Sequence, residues 1–303
     1  MSAGDGSLSG APPSRGERGQ RVAGAALGPP EAPEARGAVA PMIALRLDDV
    51  GAASKQHEVY GITRIPVGRL ALPFPGNFLF LKYLPPIKRW GPYPELTAAQ
   101  WVDVLAALTG AGATQTVAVT AGWVEHDGRI VPFPVKFPDA ARVLREGVER
   151  GLLEIANHGY THCVTADGLF RPRLFSGNRP WHREFFDWLP EEVHRAHLHA
   201  AQDILGTWFG VPIETLVPPG NVLSPKTVTA AAAAGIRFIS RLGGAPAGAV
   251  DGITFVDDAR VLAFHDRDLV KGGLAYLRRL LDGRAGQRFV RLCELGRFQA
   301  AAR

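Results

Sequence analysis

From residue 42 onward, short runs rich in Val, Ile and Leu alternate with segments of helical periodicity. This alternation restricts the chain to α/β architecture, a parallel sheet whose strands are joined by helices. Strands are expected at 43–47, 116–120, 153–156, 214–217, 237–240, 261–264 and 289–293. About seven parallel strands fit a closed or nearly closed (β/α) barrel.

Helix boundaries are written between the runs. Thr97 with Gln100 forms a capping box before 101–108, and Ser224 followed by Pro225 starts a helix that runs to Gly235. Pro190 opens another that ends near Gly210. Helices over 138–150 and 269–281 are each followed by a glycine, Gly151 and Gly283, able to take the left-handed conformation that ends a helix.

Composition narrows the class further. With 46% hydrophobic and 21% charged residues, the chain can bury a sizeable core, which excludes wholesale disorder and a coiled coil. No apolar run approaches the ~20 residues of a membrane span. Cys163 and Cys293 are too far apart in sequence, and too few, for a disulfide framework or a Cys-rich zinc site. The net charge of +5 comes from scattered Lys and Arg with no dense basic run, so nucleic acid is not the expected partner. Residues 1–41 are mostly Gly, Ala, Pro and Ser, read as a disordered tail, and the barrel is assigned to 42–303. The N-terminus lacks a readable export signal, so a cytoplasmic location is expected.

Two long connections interrupt the alternation. Residues 52–95 carry seven prolines among Phe74, Phe78, Phe80, Tyr83, Trp90 and Tyr93, the pattern of an ordered flap. Residues 163–189 carry Phe170, Phe175, Trp181, Phe185, Phe186 and Trp188.

Four polar clusters follow expected strands: Asp48-Asp49, then His158 and His162, then Pro218-Pro219-Gly220-Asn221, then His265-Asp266. In a parallel barrel these strand ends converge on one face, where active sites form. Adjacent carboxylates repel unless a cation is present. His158 and His162 are spaced to bring both imidazoles to one side, and with one of the two aspartates they give a three-ligand set with open coordination positions. The other aspartate is then free to act as a base. His194, His197 and His199 have no acidic neighbour on their helix face and read as a solvated stripe.

Leu47-Asp48-Asp49-Val50-Gly51, His158-Gly159-Tyr160-Thr161-His162, Val217-Pro218-Pro219-Gly220 and Leu262-Ala263-Phe264-His265 resemble, in order, the four motifs of the polysaccharide deacetylase (NodB-homology, carbohydrate esterase family 4) proteins. The resemblance implies a NodB-like distorted barrel with one divalent metal, Zn²⁺ foremost and Co²⁺, Ni²⁺ or Mn²⁺ as alternatives. It implies Asp49, His158 and His162 as ligands, Asp48 as general base and His265 as general acid. Gly220 stands where the family usually has a tyrosine, its backbone N–H an oxyanion donor beside Pro219, with Asn221 as a second donor. His57, Trp90 and Glu184 are candidate substrate contacts.

The implied reaction is removal of an N-acetyl or O-acetyl group from a sugar or glycan precursor. Hydrolysis of a non-sugar amide or cyclic imide, or glycan binding by an inactive barrel, are the alternatives. Val217 replaces the arginine that pairs with the family's base aspartate, leaving Arg46, Arg237 or Arg241 to take its place. No residue is assigned to orient His265, with Asp257, Asp258 and Asp266 as candidates.

Overall fold

In the computed structural model, residues 40–165, 183–243, 252–256 and 258–302 are described. The expected tail at 1–41 falls almost entirely outside them, as do Phe170, Phe175, Trp181, Asp257 and the side chain of Asp258.

Eight strands form one parallel sheet: β1 (Met42–Val50), β2 (Gln115–Val119), β3 (Leu153–Asn157), β4 (Thr215–Leu216), β5 (Phe238–Ile239), β6 (Thr254–Phe255), β7 (Val261–His265) and β8 (Arg288–Val290). Their spatial order is β6-β5-β4-β3-β2-β1-β7, with β8 also on β1. Among the described residues no pairing joins β6 to β7, so the sheet curls into a distorted, incompletely closed (β/α) barrel. The connecting helices are α1 (Ala98–Gly110), α2 (Pro138–Glu149), α3 (Glu191–Phe209), α4 (Pro225–Ala233), α5 (Asp266–Asp282) and α6 (Leu292–Ala301). None of the described helices is long and apolar enough to cross a membrane.

The alternation of side chains along a strand explains the two cores. Leu45 and Leu47 of β1, Val117 and Val119 of β2 and Ile155 of β3 join the helix-facing cluster with Trp101, Leu108 and Leu144. The intervening Ala44, Ala118 and Ala156 face a second cluster with Val217, Phe238, Leu292 and Leu295. Small residues fit there because the interior is narrow and α6 packs into it. By the same alternation Arg46 and Asp48 belong to the Ala44 face.

Most expected boundaries hold within a residue or two. The capping box at Thr97 forms, the helix start at Ser224 is completed by a box with Thr227, and Gly210 and Gly151 have φ of 68° and 72°. Three expectations are corrected. β6 has no counterpart in the sequence reading. The run 289–293 is not one strand: Arg291 caps a helix with Glu294, so Cys293 is a buried helical residue. Gly283 has φ −66°, so α5 ends without a left-handed residue.

Leu108 is fully buried in the helix-facing core whereas Val102, on the same helix, is 53% exposed. Leu108→Ala should cost about 2–5 kcal/mol, and Val102→Ala should stay within about 0.5 kcal/mol. Denaturant midpoints of the two variants check the contrast.

Candidate metal centre and acyl-transfer site

The site begins with an irregularity in β1. Arg46 and Leu47 pair with Thr116 and Val117, but the next partner of β2, Val119, faces Val50, so β1 gains a residue at Asp48-Asp49. Asp49 takes φ 72°, a left-handed conformation that aspartate tolerates better than most residues. A regular strand would aim Asp49 at the helices. The bulge takes it out of that alternation and toward the histidines.

Asp49 Oδ1 lies 3.3 Å from His158 Nε2 and 3.2 Å from His162 Nε2. One ligand atom from each of the three residues falls within 4.8 Å of the others. His158 Nδ1 is 2.6 Å from the Val217 carbonyl, which can only accept, so Nδ1 carries a proton and Nε2 is the nitrogen turned to Asp49. Burial lowers the His162 pKa against the opposing pull of Asp49, which favours its neutral form. Its Nδ1 is 3.2 Å from Ser54 Oγ. Burial would raise the Asp49 pKa, but the charge of His265 and the close approach of both histidine rings hold it well below the usual carboxylate range. Two imidazole nitrogens and a carboxylate facing one another suit a cation, and the outer hydrogen bonds fix the rings as metal ligands require.

The histidine loop is shaped by Glu184. Its buried carboxylate accepts from the backbone N–H groups of Tyr160, Thr161 and His162 and meets His197 Nδ1 at 2.5 Å. Gly159, at φ 82°, must be glycine, since a Cβ there would lie 1.9 Å from Glu184 Oε2. Glu184 therefore holds the ligand loop and is not a substrate contact. His197 is no part of a solvated stripe: burial disfavours its protonation, but the Glu184 hydrogen bond and charge raise its pKa. His194 is buried, its ring nitrogens at Thr227 Oγ1 and the Phe186 carbonyl.

Asp48 is gripped by Arg46. Nε and Nη2 donate to its two carboxylate oxygens at 2.9 and 2.8 Å, while Nη1 donates to Ser240 Oγ at 2.9 Å. Of the three candidates, Arg46 supplies the cation that Val217 does not. Arg237 pairs with Glu214, and the Nε of Arg241 is buried without a hydrogen bond.

His265 lies beside Asp48 in the β1–β7 register. Its Nδ1 accepts from Arg267 Nη2 at 3.1 Å, since a guanidinium only donates, and Nε2 keeps the ring proton. Asp266 does not orient it. That carboxylate is buried, salt-bridged to Lys55 and accepting from Tyr93 Oη at 2.9 Å, while Lys55 also pairs with Glu95 at 2.7 Å.

The remaining expected residues are placed as follows. Asn221 turns Oδ1 to the Leu242 N–H, and the space beside Gly220 is filled by Arg183, whose Nε would lie 1.7 Å from an added Cβ. Pro219 packs against Gly159. His57 meets His126 edge to face at 6.2 Å. Trp90 stacks on Tyr60 at 4.3 Å and carries Arg267 4.7 Å from its ring centre, so it supports an arginine instead of offering a bare face. Arg183, Arg267, Ser54, Ser240 and His197 were not singled out from sequence as site residues. For the Arg46 grip the available signal was its i, i+2 spacing to Asp48 on one strand.

Over residues 91–239 the sequence matches the polysaccharide deacetylase family. No curated protein matches it. Among solved structures it is similar to the CE4 domain of a multidomain xylanase from the hindgut metagenome of Trinervitermes trinervoides, at 14% identity over 86% of this chain and 92% of that one, with TM-score 0.45. It is similar also to a CE4 family pseudoenzyme from Bacillus anthracis, at 14% identity over 66% of this chain and TM-score 0.41, and spans 61% of that protein's length. A family 4 acetyl xylan esterase from Clostridium thermocellum in complex with cobalt is similar at 15% identity, over 68% of this chain and 88% of that one, with TM-score 0.41.

Two predictions follow from the buried charges. Arg46→Met strands the Asp48 carboxylate and should destabilise the protein by about 3–5 kcal/mol, with Arg46→Met/Asp48→Asn regaining most of it; chemical denaturation of both reads this out. The Asp266 pKa is pushed up to about 8 by burial, against the pull of Lys55 and with Glu95 and Asp49 adding to the rise. A folded pKa above the unfolded one gives stability that is complete below the unfolded value, near 4 for a carboxyl, and lost as pH rises through about 8. Melting temperatures should therefore fall as pH rises from about 4 to about 8, and Asp266→Asn should flatten that decline.

Proposed function

The chain belongs to the polysaccharide deacetylase family as a divergent member, and from that premise we propose that it is a metal-dependent hydrolase that removes an acetyl group from an N-acetylated or O-acetylated sugar or glycan precursor. The observation that carries the reading is the convergence of Asp49 with the Nε2 atoms of two histidines beside the arginine-held Asp48.

Asp49, His158 and His162 would hold one divalent cation, with Zn²⁺ best matched to a His₂-carboxylate set. Bound there, it would polarise the acyl carbonyl and acidify a water. Asp48 takes the proton of the attacking water. Arg46 keeps that carboxylate fixed, both of its oxygens still having lone pairs to accept with. His265 acts as the acid in its imidazolium form, with the Asp268 carboxylate 3.9 Å from Nδ1 as its countercharge, and gives its Nε2 proton to the departing amine or alkoxide, returning to the neutral ring whose Nδ1 accepts from Arg267. The Gly220 backbone N–H remains the proposed oxyanion donor.

The test begins with metal content, on protein prepared without chelators or a polyhistidine tag. About one divalent ion per chain is expected, with little in Asp49→Ala or His158→Ala. Asp48→Asn should retain the ion and lose acetate release from N-acetylglucosamine oligomers by a factor of about 10² or more. Absence of metal in the wild type after added Zn²⁺ would sink the proposal and favour the inactive glycan-binding barrel. Metal retention with turnover of small cyclic imides and none of acetylated sugars would move the reading to a non-sugar amidohydrolase.

A further inference from the structure

The inference rests on the deacetylase reading and adds what its substrate carries. Arg267 sits against His265, at 3.1 Å from Nδ1, with its guanidinium over Trp90 and its Nε 3.8 Å from Asp268. Trp90 ends the strand Lys88–Trp90 of the 52–95 connection, so Lys88 and Arg89 approach the same rim, both exposed. Lys271 follows Arg267 by one turn of α5, on the same helix face, and is exposed as well.

Lys271 feels the charge of the other three. Partial burial, together with the charges of Arg267, Lys88 and Arg89, lowers the Lys271 pKa, with Asp268 as the opposing carboxylate. Two separate elements, an inserted strand and a helix N-terminal turn, therefore bring like charges together beside the proposed acid. Across the site Arg183 lies over Gly220 and feels the charge of Asp49. Mutual repulsion among the rim cations is relieved when an anion sits between them.

We propose that the substrate bears an anionic group, phosphate or carboxylate, near its acyl group, and that Arg267, Lys271, Lys88 and Arg89 bind it. Arg267 contributes bidentate geometry and the other three contribute charge. Neutral polysaccharide is then a poorer ligand than a small charged glycan precursor.

Calorimetric titration of metal-stripped protein tests this without turnover and without anion binding to the metal. The probes are N-acetylglucosamine, N-acetylglucosamine 1-phosphate and N-acetylmuramic acid. At least one charged probe should bind about tenfold or more tightly than the neutral sugar, and that advantage should shrink as salt is raised. Lys271→Gln/Arg89→Gln, both at exposed positions, should remove most of the advantage while the melting temperature is kept. Which charged probe gains distinguishes phosphate from carboxylate.

Equal binding of all three probes, no detectable binding of either charged probe, or an advantage indifferent to the double variant overturns the proposal. Acetate release from the same compounds by the metal-loaded enzyme reports separately. Binding without turnover counts against the deacetylase reading and leaves the anion site standing, whereas turnover with no charge preference does the reverse.

Discussion

Two adjacent carboxylates at the end of a buried strand cannot share one countercharge, and the site is organised by the separate answers given to Asp48 and Asp49. Asp48 stays in register on the interior face, where Arg46 two residues earlier reaches it with both forks of its guanidinium. A buried pair of this kind is costly to desolvate and is retained where geometry matters more than stability. Asp49 is moved off the strand pattern by the bulge and meets the Nε2 atoms of two imidazoles. That grouping of one carboxylate and two imidazoles is the arrangement on which the proposed metal site rests. One extra residue in β1 thus sends two adjacent carboxylates to different partners, Asp48 to Arg46 and Asp49 to the two histidines.

That division depends on strain held elsewhere. Among the described residues, four non-glycine residues have positive φ, and Asp49, His162 and Asn221 are three of them. Such conformations persist only when neighbours over-determine them. For His162 the neighbour is Glu184, whose carboxylate collects three successive backbone N–H groups of the loop, backed by His197. The loop is therefore shaped by an anion contributed from within the chain, and the face of the ligands is left to the site.

The parts of this arrangement that were legible in the sequence are those carried by short-range pattern. Alternating apolar runs marked the central strands, and Thr97, Ser224 and Pro190 marked helix starts, because burial and capping act within a few residues. The short strand β6 was not legible, since two residues leave no periodicity to read. The capping of α6 by Arg291 and Glu294 was overridden by the apolar run around it. In the site, the strand-end clusters pointed to Asp49, His158 and His162, which the fold brings together. The partners that set their protonation and orientation come from far along the chain: Ser54 for His162, the Val217 carbonyl for His158, Arg267 for His265. No local pattern encodes these contacts. Glu184 was noticed and misassigned, because a carboxylate near two histidines looks the same in sequence whether it faces substrate or backbone.

The long connection after β1 shows how so irregular a segment can take part in an ordered site. Lys55 near its start is buried between Glu95 at its end and Asp266 at the head of α5, and Glu95 also accepts from the Gly51 N–H. Closing a loop of this length costs only slightly more than closing one half as long, about 0.6 kcal/mol per doubling. A single buried ammonium with two carboxylates therefore suffices to pin both of its ends. The same knot ties the loop to the helix that begins immediately after His265. The strand Lys88–Trp90, which carries the stacked Trp90 and the exposed Lys88 and Arg89, belongs to the same insertion, so loss of that knot would be felt both there and at the helix after His265. The insertion is tied down by electrostatics because its proline-rich sequence is poorly suited to pairing into the main sheet.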